Sequence, residues 1–148
     1  MIDNIVKNTS TANFSGKTEA YRLSQADLSN FNSTSDYNMY YAGTPSASNL
    51  IFYDGTNSDQ TLAAYQSRVS PRDANSLSVS PNFVSITDLH ILAPNCTIDG
   101  KGTPIAGYTT DIDADIRDAA TPDMGADEFT AAVFEGDEDS LKIGRVHV

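Results

Sequence analysis

The chain has 148 residues, enough for one domain with a buried core, and 39% of them are hydrophobic, too many for a disordered polymer. Twenty acids against nine bases give a formal charge of −11, a field that repels phosphate backbones and anionic lipid. Nucleic acid and membrane insertion are therefore not expected, and no apolar run approaches a membrane-spanning length.

Sixteen of the acids are Asp and four are Glu. Asp bonds to nearby backbone and favours turns, whereas Glu favours helix, so the bias predicts a turn-rich chain. Met1-Ile2-Asp3-Asn4 lacks the basic and apolar regions of a signal peptide, which leaves localisation open between a cytoplasmic protein and a piece of something longer.

Along the first half, short apolar patches stand in polar surroundings: Ile5-Val6, Ala20–Leu23, Tyr37–Tyr41 and Leu50–Tyr53. Each has the β-branched or aromatic make-up of a strand, and they start at intervals of roughly 10 to 17 residues, compatible with several strands per solenoid coil. Ser58–Val69 is predicted as a helix, with Asp59 as cap, Leu62, Ala63, Tyr65, Gln66 and Val69 at helical spacing, and Pro71 as the stop. Leu77–Val79, Phe83-Val84 and Leu89–Leu92 are the next strand candidates. Cys96 excludes an intrachain disulfide and reads as a small buried filler. From Thr97 turns dominate, with Asp99-Gly100 and Lys101-Gly102 as the clearest signals. Thr110–Asp118 alternates strictly and is expected to be extended. One domain is expected over residues 1–129, followed by an acidic tail over 130–148 that ends in Leu141–Val148, one more strand or a frayed end.

Ser35–Tyr41 resembles a strand of bacterial right-handed parallel β-helix repeat proteins. Asn82–Val84, Asp88–Ile91, Thr109–Arg117 and Pro122–Phe129, in that order, resemble the C-terminal end of the same family. The chain departs from the family at Ala114, where glycine is usual, at Ile116, often proline, and over Asn95–Asp99. The resemblance implies an all-β fold: a short right-handed parallel β-helix of roughly two to four coils, one short side helix and a C-terminal β cap. It also implies a protein usually secreted or held at the cell surface. Arg117, with Asp123, Asp127 or Glu128, is then expected to form a charge pair that clips the cap closed.

Candidate chemistry is sparse. Asp111, Asp113 and Asp115, followed by Asp118, have the alternate spacing of a calcium loop, but Ile116 and Pro122 stand where such a loop needs Gly and Glu. A solvated face is the plainer reading of these metal candidates, and no cofactor is expected. Asp36 is the best single carboxylate for glycoside chemistry, against a plainer role in bonding its own turn. Asp88 and His90 share a strand face as half of a triad, with no activated serine to complete it. His147 has no metal partner at ligand spacing, and no glycine-rich phosphate loop is present. No catalytic residue is assigned. Tyr37, Tyr40, Tyr41 and Tyr53 are the binding candidates, because tyrosine stacks on sugars and offers a hydroxyl; core packing is the competing role. Adjacent Tyr40 and Tyr41 must face opposite ways on a strand.

The expected function is a non-catalytic structural or carbohydrate-associated module, a detached end of a larger surface protein. The alternatives are a fragment of a polysaccharide lyase or glycoside hydrolase, and a stand-alone homo-oligomer. The expected partners are a polysaccharide and further copies of the chain, as homodimer or homotrimer, through an N-terminal coil containing Ile5, Val6 and Tyr21.

Overall fold

A computed structural model describes residues 1–92 and 97–130. Cys96 and the tail over 131–148, with its expected terminal strand and His147, lie outside the described residues. The elements in order are β1 (Ile5–Lys7), β2 (Thr18–Arg22), β3 (Met39–Tyr41), β4 (Asn49–Tyr53), β5 (Ser58–Asp59) and α1 (Leu62–Val69). No described helix is long and apolar enough to cross a membrane.

The strands form two small sheets. β1 pairs parallel with β3, Val6 opposite Tyr40, and β2 pairs parallel with β4, Tyr21 opposite Phe52. β5 folds back antiparallel on β4 through Asp54–Asn57, where Gly55 has a φ of 92° that an L side chain rarely adopts. Beyond α1 the described residues make only isolated bridges: Met39 to Leu77, Phe83 to Ile91, and Thr110 to Ile116.

This architecture corrects the expected parallel β-helix with a β cap. The described residues hold five short strands, a two-stranded and a three-stranded sheet, and one short helix, with no stack of repeating coils. A coil stack needs each strand to find a parallel partner on both sides. Here β4 has an antiparallel strand on its second side, and strands of two to five residues are too short to carry a long ladder. Thr97–Thr130 is held by side-chain bonds to backbone instead of by sheet ladders.

α1 begins at Leu62, four residues after the predicted start at Ser58, because Thr61 caps it in place of Asp59. The Thr61 hydroxyl accepts from Ala64 N–H at 3.3 Å. Asp59 lies in β5 and forms a fork with Arg68, at 2.6 Å to Nε and 2.8 Å to Nη2. That fork staples the helix end to β5. Tyr65 and Val69 are the buried face of the helix.

β3 divides two cores, as strand alternation requires. Tyr40 enters one, with Phe31, Ile51, Phe52, Tyr65 and Val69. Met39 enters the other, with Ile91, Ile98 and Met124. In the first core the Tyr65 ring lies 5.3 Å from Phe52 and 5.4 Å from Tyr40, within the range of favourable aromatic pairs. Under these rings lies Asp73, fully buried. It accepts from Tyr65 Oη at 2.8 Å, Ser76 Oγ at 2.8 Å, Asn38 Nδ2 at 2.9 Å and Tyr40 Oη at 3.2 Å. Burial first, and the Asp73 charge with it, push the Tyr40 and Tyr65 hydroxyl pKa values up, so both stay protonated donors. The second core joins the chain's beginning to its C-terminal region: Ile5, Tyr37, Leu77, Phe83 and Phe129 pack around it.

Candidate functional site

The C-terminal region explains the excess of aspartate. Asp111 Oδ1 accepts from the N–H groups of Asp113 (2.8 Å) and Asp115 (2.9 Å), and its Oδ2 accepts from Glu128 N–H (3.1 Å). Asp118 Oδ1 receives the N–H groups of Ala120 and Thr121, and the two oxygens of Asp123 receive those of Gly100 and Phe129. Glu128 accepts from Asp118 N–H and Asp123 N–H. Carboxylates thus replace the ladder carbonyls that a turn-rich chain lacks.

The same bonding overturns the expected extended strand over Thr110–Asp118. The Asp111 side chain draws the next residues into a tight loop, Ala114 takes a φ of 71°, and Thr110 closes against Ile116. The three early aspartates therefore do not share a face. Asp111 is committed to backbone, and Asp113 turns to His90, whose Nε2 lies 2.6 Å from Asp113 Oδ2. His90 Nδ1 lies 2.5 Å from Asp88 Oδ1. The bond to Asp88, then the one to Asp113, raises the His90 pKa to about 9, so the ring is protonated at neutral pH. Asp127, buried, accepts from Ile91 N–H at 2.6 Å.

Arg117 lies at the centre of this region. It donates from Nη1 to the Gly125 carbonyl at 2.9 Å and from Nη2 to the Asp123 carbonyl and to Asp3 Oδ2, the last at 3.3 Å. Its Nε is 3.6 Å from Glu128 Oε2. The partner that sequence reasoning missed is Asp3, more than a hundred residues away along the chain, for which no local signal exists. A side chain at Gly102 would collide with Asp3 Oδ1 and with the carbonyls of Pro122 and Asp123, so the close approach there requires glycine.

Asp3 has an unusual environment. Its side chain is 4% exposed, and Oδ1 accepts no hydrogen bond of normal geometry, although Thr103 N–H faces the carboxyl and favours its charge. Burial outweighs Arg117 and Thr103, and with smaller contributions from Glu128 and Asp123 it raises the Asp3 pKa to about 7. Asp123 is likewise pushed up to about 6, by burial first.

For Asp3 the folded value lies above the ordinary 3.8, so the folded state holds this proton more tightly. Its contribution to stability is greatest below pH 4, falls as pH rises toward 7, and is constant above. A carboxyl displaced that far corresponds to at most roughly 4 kcal/mol, with the attraction of Arg117 already counted in it, so the non-titrating Asp3→Asn variant should gain about 3 kcal/mol relative to wild type between pH 4.5 and pH 8. Urea titrations of both proteins at the two pH values measure this; a difference that does not change with pH would refute it.

Asp3 and Arg117 line a cleft of about 640 Å³. Its other walls come mainly from Thr103–Ile112 and from Ile116, Pro122 and Ala126. Ile105, Tyr108, Ile112 and Ile116 all expose apolar surface there, Tyr108 to 72%. An apolar cleft with a few convergent polar groups is the usual form of a small-ligand site.

The sequence-predicted tyrosines do not share a surface. Tyr40 is buried in the first core, and Tyr37 packs against the second. Tyr41 is half-buried at the end of β3. Tyr53 is half-buried, with the Lys17 ammonium 5.3 Å and the Arg22 guanidinium 5.0 Å from its ring centroid. Asp36 accepts from Tyr37 N–H and, 39 residues on, from Asn75 N–H and the Asn75 amide, and so ties the turn before β3 to the one after α1. Of the residues expected in an N-terminal interface, Ile5 packs on the second core, and Val6 and Tyr21 on the first. Comparison of this chain with protein-family models, with curated proteins and with solved structures finds no match.

Proposed function

We propose that this chain is a non-catalytic binding module whose cleft takes an uncharged saccharide. The observation that carries the reading is the cleft itself: exposed Tyr108, Ile105, Ile112 and Ile116, with the Asp3–Arg117 pair in the same lining. A sugar ring offers a C–H face to Tyr108 and the isoleucines, and hydroxyls to the Asp3–Arg117 pair. The net charge of −11 disfavours uronate-rich or sulfated chains. The test is a glycan array followed by titration of neutral oligosaccharides into the wild-type chain and the Tyr108→Ala and Asp3→Asn variants. Binding that weakens about tenfold or more in each variant is expected, from one lost stacking or hydrogen-bond contact. No glycan bound at millimolar concentration, or binding indifferent to both substitutions, would discard the reading.

One observation favours hydrolysis as a second reading. Within the same cleft the Asp3 pKa is raised to about 7. At Asp111 burial is outweighed by the N–H groups of Glu128, Asp113 and Asp115 and by Arg117, and the pKa is lowered. Carboxyls driven apart in this way can serve as acid and base on a glycosidic bond. Both oxygens of Asp111 already accept backbone N–H groups, which weakens its use as a base. Release of reducing sugar from a bound glycan, abolished by Asp3→Asn, would establish the second reading over the first.

A further inference from the structure

We propose that His90, Asp113 and Asp127 form a site for a divalent transition metal, zinc foremost, with Asp88 as the outer carboxylate that fixes the imidazole. Among the described residues these three offer one donor atom each within 4.8 Å of one another. The donors come from separate stretches of chain, and the stretches are tied to one another or to their own loops. Asp127 is held by the N–H of Ile91, a core residue, at 2.6 Å. Asp113 sits in the loop that Asp111 ties together. His90 is fixed twice by Asp88 Oδ1, through its backbone N–H at 3.2 Å and its ring Nδ1 at 2.5 Å. That second contact leaves Nε2 as the atom facing Asp113, the carboxylate–imidazole arrangement that orients metal-bound histidines.

Two observations separate this group from an ordinary patch of surface acids. It contains an imidazole aimed by an outer carboxylate. It also contains a carboxylate, Asp127, that is 8% exposed and, among the described residues, pairs with no Lys or Arg. A buried carboxylate needs a cation or several donors, and a metal held jointly with His90 would bind both oxygen and nitrogen donors directly. The donor set selects the metal. One imidazole and two carboxylates suit zinc, cobalt or manganese, whereas calcium and magnesium take oxygen donors throughout. Three protein donors leave at least one position for water, and His90 and Asp113 are open to solvent. On binding, the metal takes the Nε2 lone pair, and a proton carried there passes to water as the metal–nitrogen bond replaces the N–H bond.

The full chain should be titrated calorimetrically with zinc chloride and, by absorption, with cobalt(II). The series comprises wild type and the His90→Gln, Asp113→Asn, Asp88→Asn and His147→Ala variants, with circular dichroism to confirm that each folds. One zinc per chain is expected, with calcium not competing at millimolar concentration. His90→Gln and Asp113→Asn should weaken binding about a hundredfold, Asp88→Asn about tenfold, as for outer-shell carboxylates, and His147→Ala not at all. The proposal is overturned by a wild-type chain that binds no zinc at millimolar metal, by binding unchanged in His90→Gln, or by binding lost in His147→Ala.

Discussion

Replacing Asp73 with alanine is expected to cost about 3–5 kcal/mol of folding stability, the largest loss from any single polar substitution. The Asp73 carboxylate is fully buried and accepts from five side chains that are themselves buried: Tyr40, Tyr65, Asn38, Ser76 and, at longer distance, Ser35. Removing it leaves two tyrosine hydroxyls, two serine hydroxyls and an amide in the core with a shared acceptor gone. Each such donor costs about 1–3 kcal/mol if it finds no other partner, and relaxation recovers part of the sum. The main-chain bonds from Asp73 N–H to the Ser35 carbonyl and from Gln66 to the Asp73 carbonyl survive the substitution, but Asp73 has a φ of 54°, a left-handed conformation that aspartate adopts more readily than alanine. Asp73→Asn should cost less, about 1–2 kcal/mol, because it keeps the volume and the hydroxyl partners can rotate to suit an amide. With seven tyrosines and no tryptophan, near-ultraviolet circular dichroism reports directly on this core during urea unfolding. A loss below about 1 kcal/mol for the alanine variant would show that the hydroxyls satisfy one another and that the hub is dispensable.

Arg117→Ala is expected to cost about 2–4 kcal/mol near pH 8, clearly more than Arg72→Ala. The Arg117 side chain is 11% exposed and holds Asp3, Glu128 and the carbonyls of Gly125 and Asp123 at once. Its removal strands the buried Asp3 carboxylate and leaves the Gly125 N–H bond to the Asp3 carbonyl and the second core to hold the C-terminal segment to the chain's beginning. Arg72 donates only to main-chain carbonyls, of Phe31, Asn32 and Val69, and stacks on the Phe31 ring at 5.3 Å. No buried acid is left behind when it goes. The two losses also differ in their pH dependence. Asp3 is protonated in the fold below about pH 7, and a neutral carboxyl needs no guanidinium. The cost of Arg117→Ala should therefore shrink as pH falls from 8 to 5, while that of Arg72→Ala stays level. Parallel melting curves of the two variants across that range test the argument, and equal, pH-independent losses would defeat it.

Local chemistry alone determined several features of this protein. Leu62, Tyr65 and Val69 recur at helical spacing, and α1 forms there, with Tyr65 and Val69 inside. The excess of Asp over Glu marked a chain of turns, and Asp111, Asp118 and Asp123 do bind nearby N–H groups. Tyr40 and Tyr41 diverge as neighbours on a strand must, Tyr40 into the core. These features depend on residues a few positions apart, so a linear reading reaches them.

Pairing and convergence were decided only in three dimensions. Strand-like patches say nothing about which strand lies beside which, and β4 gaining an antiparallel neighbour in β5 turned an expected coil stack into two small sheets. Asp59 was available as a helix cap, yet its bond to Arg68 nine residues on left that role to Thr61. The Asp73 bonds to Asn38 and Tyr40, the Arg117–Asp3 pair and the His90–Asp113 contact join residues 23 to 114 positions apart. Such contacts form where burial removes water and a charge must find its partner through space, a requirement with no trace in the order of the residues.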